Sequence, residues 1–292
     1  MKIGVFQLVD KNYAELLRPA MQNISDYCQK YNIDHHPMVG PLSDSGDCHV
    51  NYQKPLALLR HIDNYDYVIW LDADVVVANW KKTFEGIIKE FDRDIYFCDD
   101  PGGWFFNSGV LIFKNCEKSK SVLQKWWEDR YEGTNKHWRF QDPSGGGDQL
   151  LLIKIIKEMI KNGDKDLNPM NPLIMNCHPR LYERGVFLVH CMGYSPKDIC
   201  ALAQSAHEGG EDFFLAFRDL VPSMRLRNSH RLGFNKINMA EILRFYKSIR
   251  LESAEHKGFM KQKTWFEQIS TKEGSIERWM KEFPDPWKNY II

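Results

Sequence analysis

Apolar and polar positions switch between two periods along the first 200 residues, and the switches predict an α/β chain. Residues 2–9 alternate weakly and are rich in β-formers, then Asp10-Lys11-Asn12 turns into helical spacing over 13–31. A second strand is expected at 33–39, a loop rich in Pro, Ser, Gly and Asp at 40–47, and a helix at 54–62. Further on, the pattern predicts a helix at 83–91, a strand at 94–98, a tight loop at 99–103 and a buried strand at 110–113. An amphipathic helix at 117–129 places Val122, Leu123, Trp126 and Trp127 on its apolar side. After a long polar loop at 131–147 that ends in three glycines come an apolar helix at 150–159, a last strand at 185–190 and a loop at 191–197.

The segment that organises this order is the run from Val68 to Val77, apolar except for Asp72 and Asp74. Its unbroken apolar character fits a parallel strand buried on both faces, with Asp72 at the carboxyl end. If the chain stays extended there, side chains two apart point the same way, so the two acids can share a divalent cation. The plain alternative is a polar turn with both acids solvated. Three other landmarks also have ordinary readings on their own: Asn107-Ser108-Gly109 as a turn, Asp148 as a helix cap and His190 as a structural histidine at a strand end. Together they place acids, amides and an imidazole at the ends of buried strands, where open α/β sheets hold their ligands.

Composition narrows the classes. Lys and Arg number 39 and Asp and Glu 39, so the chain carries no net field for nucleic acid or an anionic membrane surface. No apolar stretch approaches the ~20 residues of a membrane span, and the first residues lack a signal-peptide pattern. Seven cysteines without a CxxC pair fit reduced thiols. The expectation is a soluble, cytoplasmic protein of 292 residues. From Val221 onward basic residues, Arg225, Arg227, Arg231 and Lys236 among them, outnumber acids before mixed-charge helical patterns run to the terminus. This marks 221–292 as a helical extension to a domain at 1–220.

In this order the motifs resemble those of the metal-dependent glycosyltransferases of the GT-A fold, nearest the retaining families 34 (galactosyl/xylosyltransferase-like) and 8 (glycogenin-like). Tyr65-Asp-Tyr-Val-Ile-Trp-Leu-Asp72-Ala-Asp74 is similar to the family segment YDYVxWLDAD. Asn107-Ser-Gly-Val-Leu-Ile-Phe-Lys-Asn-Cys116 resembles family 34, Asp148-Gln149 the pair that borders the donor sugar, and His190-Cys-Met-Gly193 the HxxG element. The resemblance implies a Rossmann-like, mostly parallel central sheet flanked by helices. It implies transfer of a sugar from a nucleotide diphosphate, a UDP-sugar by preference, to a glycan or glycoprotein with retention. Asp72, Asp74 and His190 would hold Mn²⁺, with Mg²⁺ as the alternative. Asp148 and Gln149 would be catalytic. Gln7, Val9, Tyr13, Lys54, Arg60, Asp72, Ala73, Asn107, Ser108, Gly193 and Lys197 would contact the donor, Tyr13 by stacking on the base and Lys197 through the diphosphate. The match departs after HxxG: family 8 continues with Lys-Pro-Trp, whereas this chain has Ser195-Pro196-Lys197.

Two competitors belong to other classes. An apolar strand followed by DxDxV also resembles phosphatases of the haloacid dehalogenase type, which place that motif on the first strand and leave the later landmarks unexplained. A non-catalytic binding module would hold a nucleotide or an anionic partner through the basic carboxyl-terminal segment, without turnover.

Overall fold

The computed structural model describes residues 1–220 except 44–47, 49, 101–104, 132–146, 165 and 208–209. The expected tight loop at 99–103 beyond its first two residues, nearly all of the glycine-ended loop at 131–147, and the extension 221–292 lie outside the described residues.

The chain opens with β1 (Ile3–Asp10), α1 (Ala14–Lys30), β2 (Asp34–Gly40) and the short α2 (Lys54–Leu59). It continues with β3 (Tyr67–Leu71), β4 (Val75–Val77), α3 (Phe84–Phe91), β5 (Ile95–Cys98), β6 (Asn107–Lys114) and α4 (Glu117–Glu128). Then follow α5 (Gly147–Lys161), α6 (Pro172–Met175), β7 (Leu188–His190), α7 (Pro196–His207) and α8 (Glu211–Leu220). The main sheet has the order β2-β1-β3-β6-β5, and β4 pairs with β7 in a second, two-stranded sheet. β1 is parallel to β2 and β3, while β6 is antiparallel to both β3 and β5. Four of the five strands therefore run one way and β6 alone runs back, so the expected mostly parallel sheet is present.

The core follows from strand alternation. Val68 and Trp70 of β3 pack with Phe6, Leu8, Leu111 and Phe113 under α2, α4 and α5. Tyr67, Ile69 and Leu71 pack on the other face with Val5, Ile112 and residues of α1 and α3. A third cluster joins Val76 and Val189 to α7 and α8, through Leu202, Ala203, Phe214 and Phe217. Each fully buried aliphatic or aromatic side chain contributes roughly 1.5–3 kcal/mol, so this layered burial outweighs the weak helical propensity of pieces such as α2.

One expectation needs correction. The run from Val68 to Val77 is not a single strand. Strand β3 ends at Leu71, residues 72–74 form a turn in which the Val75 amide donates to the Asp72 carbonyl (3.1 Å), and β4 belongs to the other sheet. The unbroken apolar pattern arises because both halves are buried, each in a different sheet. The helix expected at 54–62 likewise stops at Leu59, and the loop expected at 191–197 gives way to α7 at Pro196, whose ring suits a first helical turn.

Strand β4 is held by α1 as well as by β7. The Val77 amide donates to Asn23 Oδ1 at 2.8 Å, and both groups are fully buried. Replacing Asn23 with Leu strips the Val77 amide of its partner and should cost about 1–3 kcal/mol. The measurement is urea unfolding, in which the midpoint should fall while the slope stays constant; an unchanged midpoint would mean that α1 does not anchor β4.

Candidate active site

The turn between β3 and β4 carries Asp72 and Asp74 to the carboxyl ends of β1 and β3. Register then supplies their neighbours. His190 pairs with Val75 across the small sheet, and the Cys191 amide donates to the Asp74 carbonyl (2.9 Å), which sets the imidazole beside both acids. His190 Nε2 lies 3.2 Å from Asp74 Oδ1 and 3.8 Å from Asp72 Oδ2. One ligand atom from each of the three residues falls within 4.8 Å of the others. Metal–ligand bonds of about 2.0–2.4 Å put neighbouring donor atoms roughly 3–3.4 Å apart, so the spacing suits one ion. Two carboxylates and one imidazole fit Mn²⁺ better than Ca²⁺ or Mg²⁺, both of which prefer oxygen ligands. Burial lowers the His190 basicity, but the adjacent Asp74 and Asp72 carboxylates more than reverse this, and the net displacement is upward.

The reversed strand β6 completes the arrangement. Its amino end, not its carboxyl end, lies at this edge of the sheet, and the Asp72 amide donates to the Gly109 carbonyl at 2.8 Å. Asn107 and Ser108 are thereby buried beside the acidic turn. Gly109 has to be glycine: a Cβ there would sit 2.0 Å from His190 Cε1. Gly193 is held at φ 79°, a backbone region that glycine enters without strain.

At the centre lies Lys54, 5% exposed. Its ammonium meets Asp72 Oδ1 at 2.9 Å and Asp148 Oδ2 at 3.1 Å, and donates to Ser108 Oγ at 3.4 Å. Trp70 Nε1 donates to the same Asp72 Oδ1 at 2.7 Å. Asp72 is thus divided: Oδ1 takes two donors, and Oδ2 faces His190. Burial alone would depress the Lys54 ammonium, yet Asp148 and Asp72 together raise its pKa well above the usual lysine value. Asp148, in the first turn of α5, is pushed up to about 6 by burial; Lys54 pulls it down and Asp72 pushes it further up. A carboxylate beside a lysine ordinarily falls, and this one rises because burial outweighs the pull of Lys54, with Asp72 adding to the rise.

Gln149 Oε1 accepts from the Ser108 amide (3.0 Å), and Gln149 Nε2 donates to Asp100 Oδ2 (3.5 Å). The indole of Trp126 donates to the Asp148 carbonyl (3.1 Å), which ties the site to the core under α4. These groups face an open cleft of about 750 Å³ lined also by Val9, Asn12, Tyr13, Ala73, Met192, Gly193 and Tyr194. Tyr13, 51% exposed, stands at its rim.

Of the residues singled out in the sequence, Val9, Tyr13, Lys54, Asp72, Ala73, Asp74, Asn107, Ser108, Asp148, Gln149, His190 and Gly193 line this one cleft. Three do not. Gln7 is fully buried beneath it, donating to the Asp72 carbonyl (3.2 Å) and facing His35 through its oxygen (3.0 Å). Arg60 and Lys197 are exposed and are not among the residues of its described wall. The sequence reading missed Trp70 as a partner of Asp72, read only as core; Asp100; and Asn176, which lies 3.0 Å from His190 Nδ1. Asn176 falls between the segments that periodicity marks, so no pattern pointed to it.

No protein-family model and no curated protein matches the chain. Among solved structures, it is similar to a glycosyltransferase involved in the glycosylation of the major capsid of PBCV-1, at 16% identity and a TM-score of 0.53, over 70% of this chain and 99% of that one. Weaker likenesses are to the glycosyltransferase GlyE of Streptococcus pneumoniae (16% identity, TM-score 0.47, 74% of this chain and 62% of that one) and to the galactosyltransferase LgtC (15%, 0.40, 69% and 95%). The fold is the GT-A type found in glycosyltransferases.

The Asp148 value has a consequence for stability. A carboxyl at about 6 in the folded chain, against roughly 3.9 unfolded, takes up a proton on folding between those values. Its contribution to stability is therefore full below about pH 4 and is lost as pH rises through about 6. In Asp148→Asn that part of the pH dependence should vanish. Urea unfolding at pH 4.5, 5.5 and 7 measures it, and identical slopes in the two proteins would show that Asp148 titrates normally.

Proposed function

We propose that this chain is a metal-dependent glycosyltransferase that moves a sugar from a nucleoside diphosphate, preferably UDP, to a glycan or glycoprotein acceptor, with retention at the anomeric carbon. The observation that carries this reading is the convergence of Asp72, Asp74 and His190 at one edge of a cleft whose floor holds Asp148 and Gln149. Asp72 Oδ2, Asp74 and His190 Nε2 would hold Mn²⁺ or Mg²⁺. When bound, the ion supplies charge stabilisation to the diphosphate leaving group.

The chain's own residues do the rest. Tyr13, exposed at the rim beside Val9 and Asn12, offers a face on which a base stacks. Asn107 and Ser108 are placed to meet donor hydroxyls. Lys54 keeps Asp72 Oδ1 occupied and leaves Oδ2 directed at the histidine, so it orients the acid that touches both metal and donor. Asp148 is held by Lys54 and lies against Ser108 (3.4 Å). It is positioned to stabilise positive charge that develops on the sugar as the bond to the diphosphate breaks, while the departing phosphate accepts the proton of the acceptor hydroxyl. The motif follows the third strand in sequence, and it abuts the amino end of an antiparallel strand; both features favour sugar transfer over a phosphatase with its acids on the first strand.

Two outcomes test the reading. Asp74→Ala should abolish Mn²⁺-dependent binding of a UDP-sugar in calorimetry. Asp148→Asn should lower turnover by about a hundredfold or more while UDP affinity in Mn²⁺ stays within a few-fold. The assay is Mn²⁺-dependent release of nucleoside diphosphate from a panel of nucleotide sugars without acceptor. Binding without release across the panel would support the non-catalytic module, and turnover in Asp148→Asn near that of the wild type would remove Asp148 from the chemistry.

A further inference from the structure

Behind His190, the directions of three buried hydrogen bonds follow from one backbone group. The Gly109 amide lies 2.8 Å from the side chain of Asn107 and can only donate, so the atom it meets is Oδ1. Asn176 approaches that same oxygen at 3.0 Å, and only its Nδ2 can serve there. The other end of the Asn176 amide is therefore its oxygen, and this oxygen lies 3.0 Å from His190 Nδ1. For that contact to be a hydrogen bond, Nδ1 carries the hydrogen. In the neutral ring the lone pair then sits on Nε2, the atom that faces Asp74 and Asp72. Asn176 is fully exchanged out of solvent, and Asn107 and His190 are each 4% exposed, so no bulk water competes for these groups. The ring also occupies the space a Gly109 side chain would fill, since a Cβ there would sit 2.0 Å from Cε1 and 2.4 Å from Nδ1.

We infer that Asn176 is a positioning residue which, through Asn107 and the Gly109 amide, fixes His190 as its Nδ1–H tautomer and presets Nε2 as a metal ligand. A carbonyl or carboxylate behind a ligating histidine raises ligand basicity and holds the ring in place, and losing such a partner typically lowers metal affinity 10–100-fold. Asn107 acquires a second role. Its Oδ1 is engaged by two donors, and its Nδ2 meets Met192 Sδ at 3.6 Å. Toward a donor sugar it can therefore offer only an N–H, which calls for a hydroxyl or ring oxygen that accepts. This inference rests on the metal-site reading, yet the tautomer itself is a property of the metal-free chain.

The test has two independent parts. Long-range ¹H–¹⁵N correlation on the metal-free wild-type protein at pH 8.5, with His190 assigned by its absence in His190→Gln, should show hydrogen on Nδ1; a ring with Nδ1 bare and hydrogen on Nε2 alone overturns the inference whatever the metal does. Mn²⁺ titration followed by the electron paramagnetic resonance of the free ion should show affinity about 10–100-fold weaker in Asn176→Ala. Asn176→Asp, which keeps an oxygen toward Nδ1, should stay within a few-fold of wild type although it loses the bond to Asn107. A merely structural role predicts the reverse order, since a buried carboxylate costs more than a cavity, and thermal unfolding in EDTA reports that cost separately. Equal Mn²⁺ affinity in wild type and Asn176→Ala, or Asn176→Asp no better than Asn176→Ala, would also overturn it. Absence of Mn²⁺ binding in the wild type together with an Nδ1–H ring would overturn the metal-ligand half of the inference and the metal site with it, while the tautomer stands.

Discussion

Three carboxylates, Asp72, Asp74 and Asp148, meet at one end of the sheet, and the described wall of their cleft holds a single ammonium, that of Lys54. Taking charges out of water carries an effective penalty of several kcal/mol per ion unless each finds a partner. Lys54 meets this by bridging Asp72 and Asp148 at once, and everything nearby is arranged around the bridge. A lysine at the first position of a helix opposes the helix dipole, so its place at the start of α2 is set by these acids and not by local preference. Burial pushes the Asp148 carboxyl up to about 6 against the pull of Lys54, and the nearby Asp72 charge adds to the rise. Asp74 and the second oxygen of Asp72 face the imidazole, forming a group that could hold a metal ion.

That division depends on two departures from a simple parallel layout. Strand β6 runs backwards, so its first residues, Asn107 and Ser108, arrive where a parallel strand would deliver its last ones. Strand β4 leaves the main sheet after a three-residue turn and pairs with β7, which carries His190 into register with Val75. The two devices meet at Gly109, whose carbonyl holds the Asp72 amide and whose missing side chain makes room for the histidine ring. Of the five separated segments that form the site, those carried by strands are thus fixed by backbone pairing.

The polar groups beneath the site form directed chains with backbone amides at their origins. The Gly109 amide sets Asn107, Asn107 sets Asn176, and Asn176 sets His190. The Ser108 amide sets Gln149 in the same way. Such networks are costly when half satisfied and rigid when complete, which suits groups that must present one lone pair, and not another, to a ligand.

Much of this was legible beforehand. The apolar run around Asp72-Ala-Asp74, the amphipathic spacing of α1 and α4, and the polar residues at strand ends placed the elements, because strand and helix periods register burial directly; the resemblance to GT-A glycosyltransferases, not periodicity, pointed to Val9, Tyr13, Lys54, Ala73, Gln149 and Gly193. Periodicity could not separate β3 from β4, since a buried turn between two buried strands leaves the same apolar record as one strand. The resemblance pointed to Lys54 as a donor contact and not to its bridge between Asp72 and Asp148, and the apolar run marked Trp70 only as core. Periodicity gave no sign of Asn176, because a buried amide that serves another residue has no spacing of its own. Sequence by itself determined which segments are buried and which residue types stand at their ends. Strand direction, sheet membership and the order of hydrogen-bond donors were decided only in the tertiary structure, because they depend on pairing between segments as much as a hundred residues apart, where no local pattern reaches.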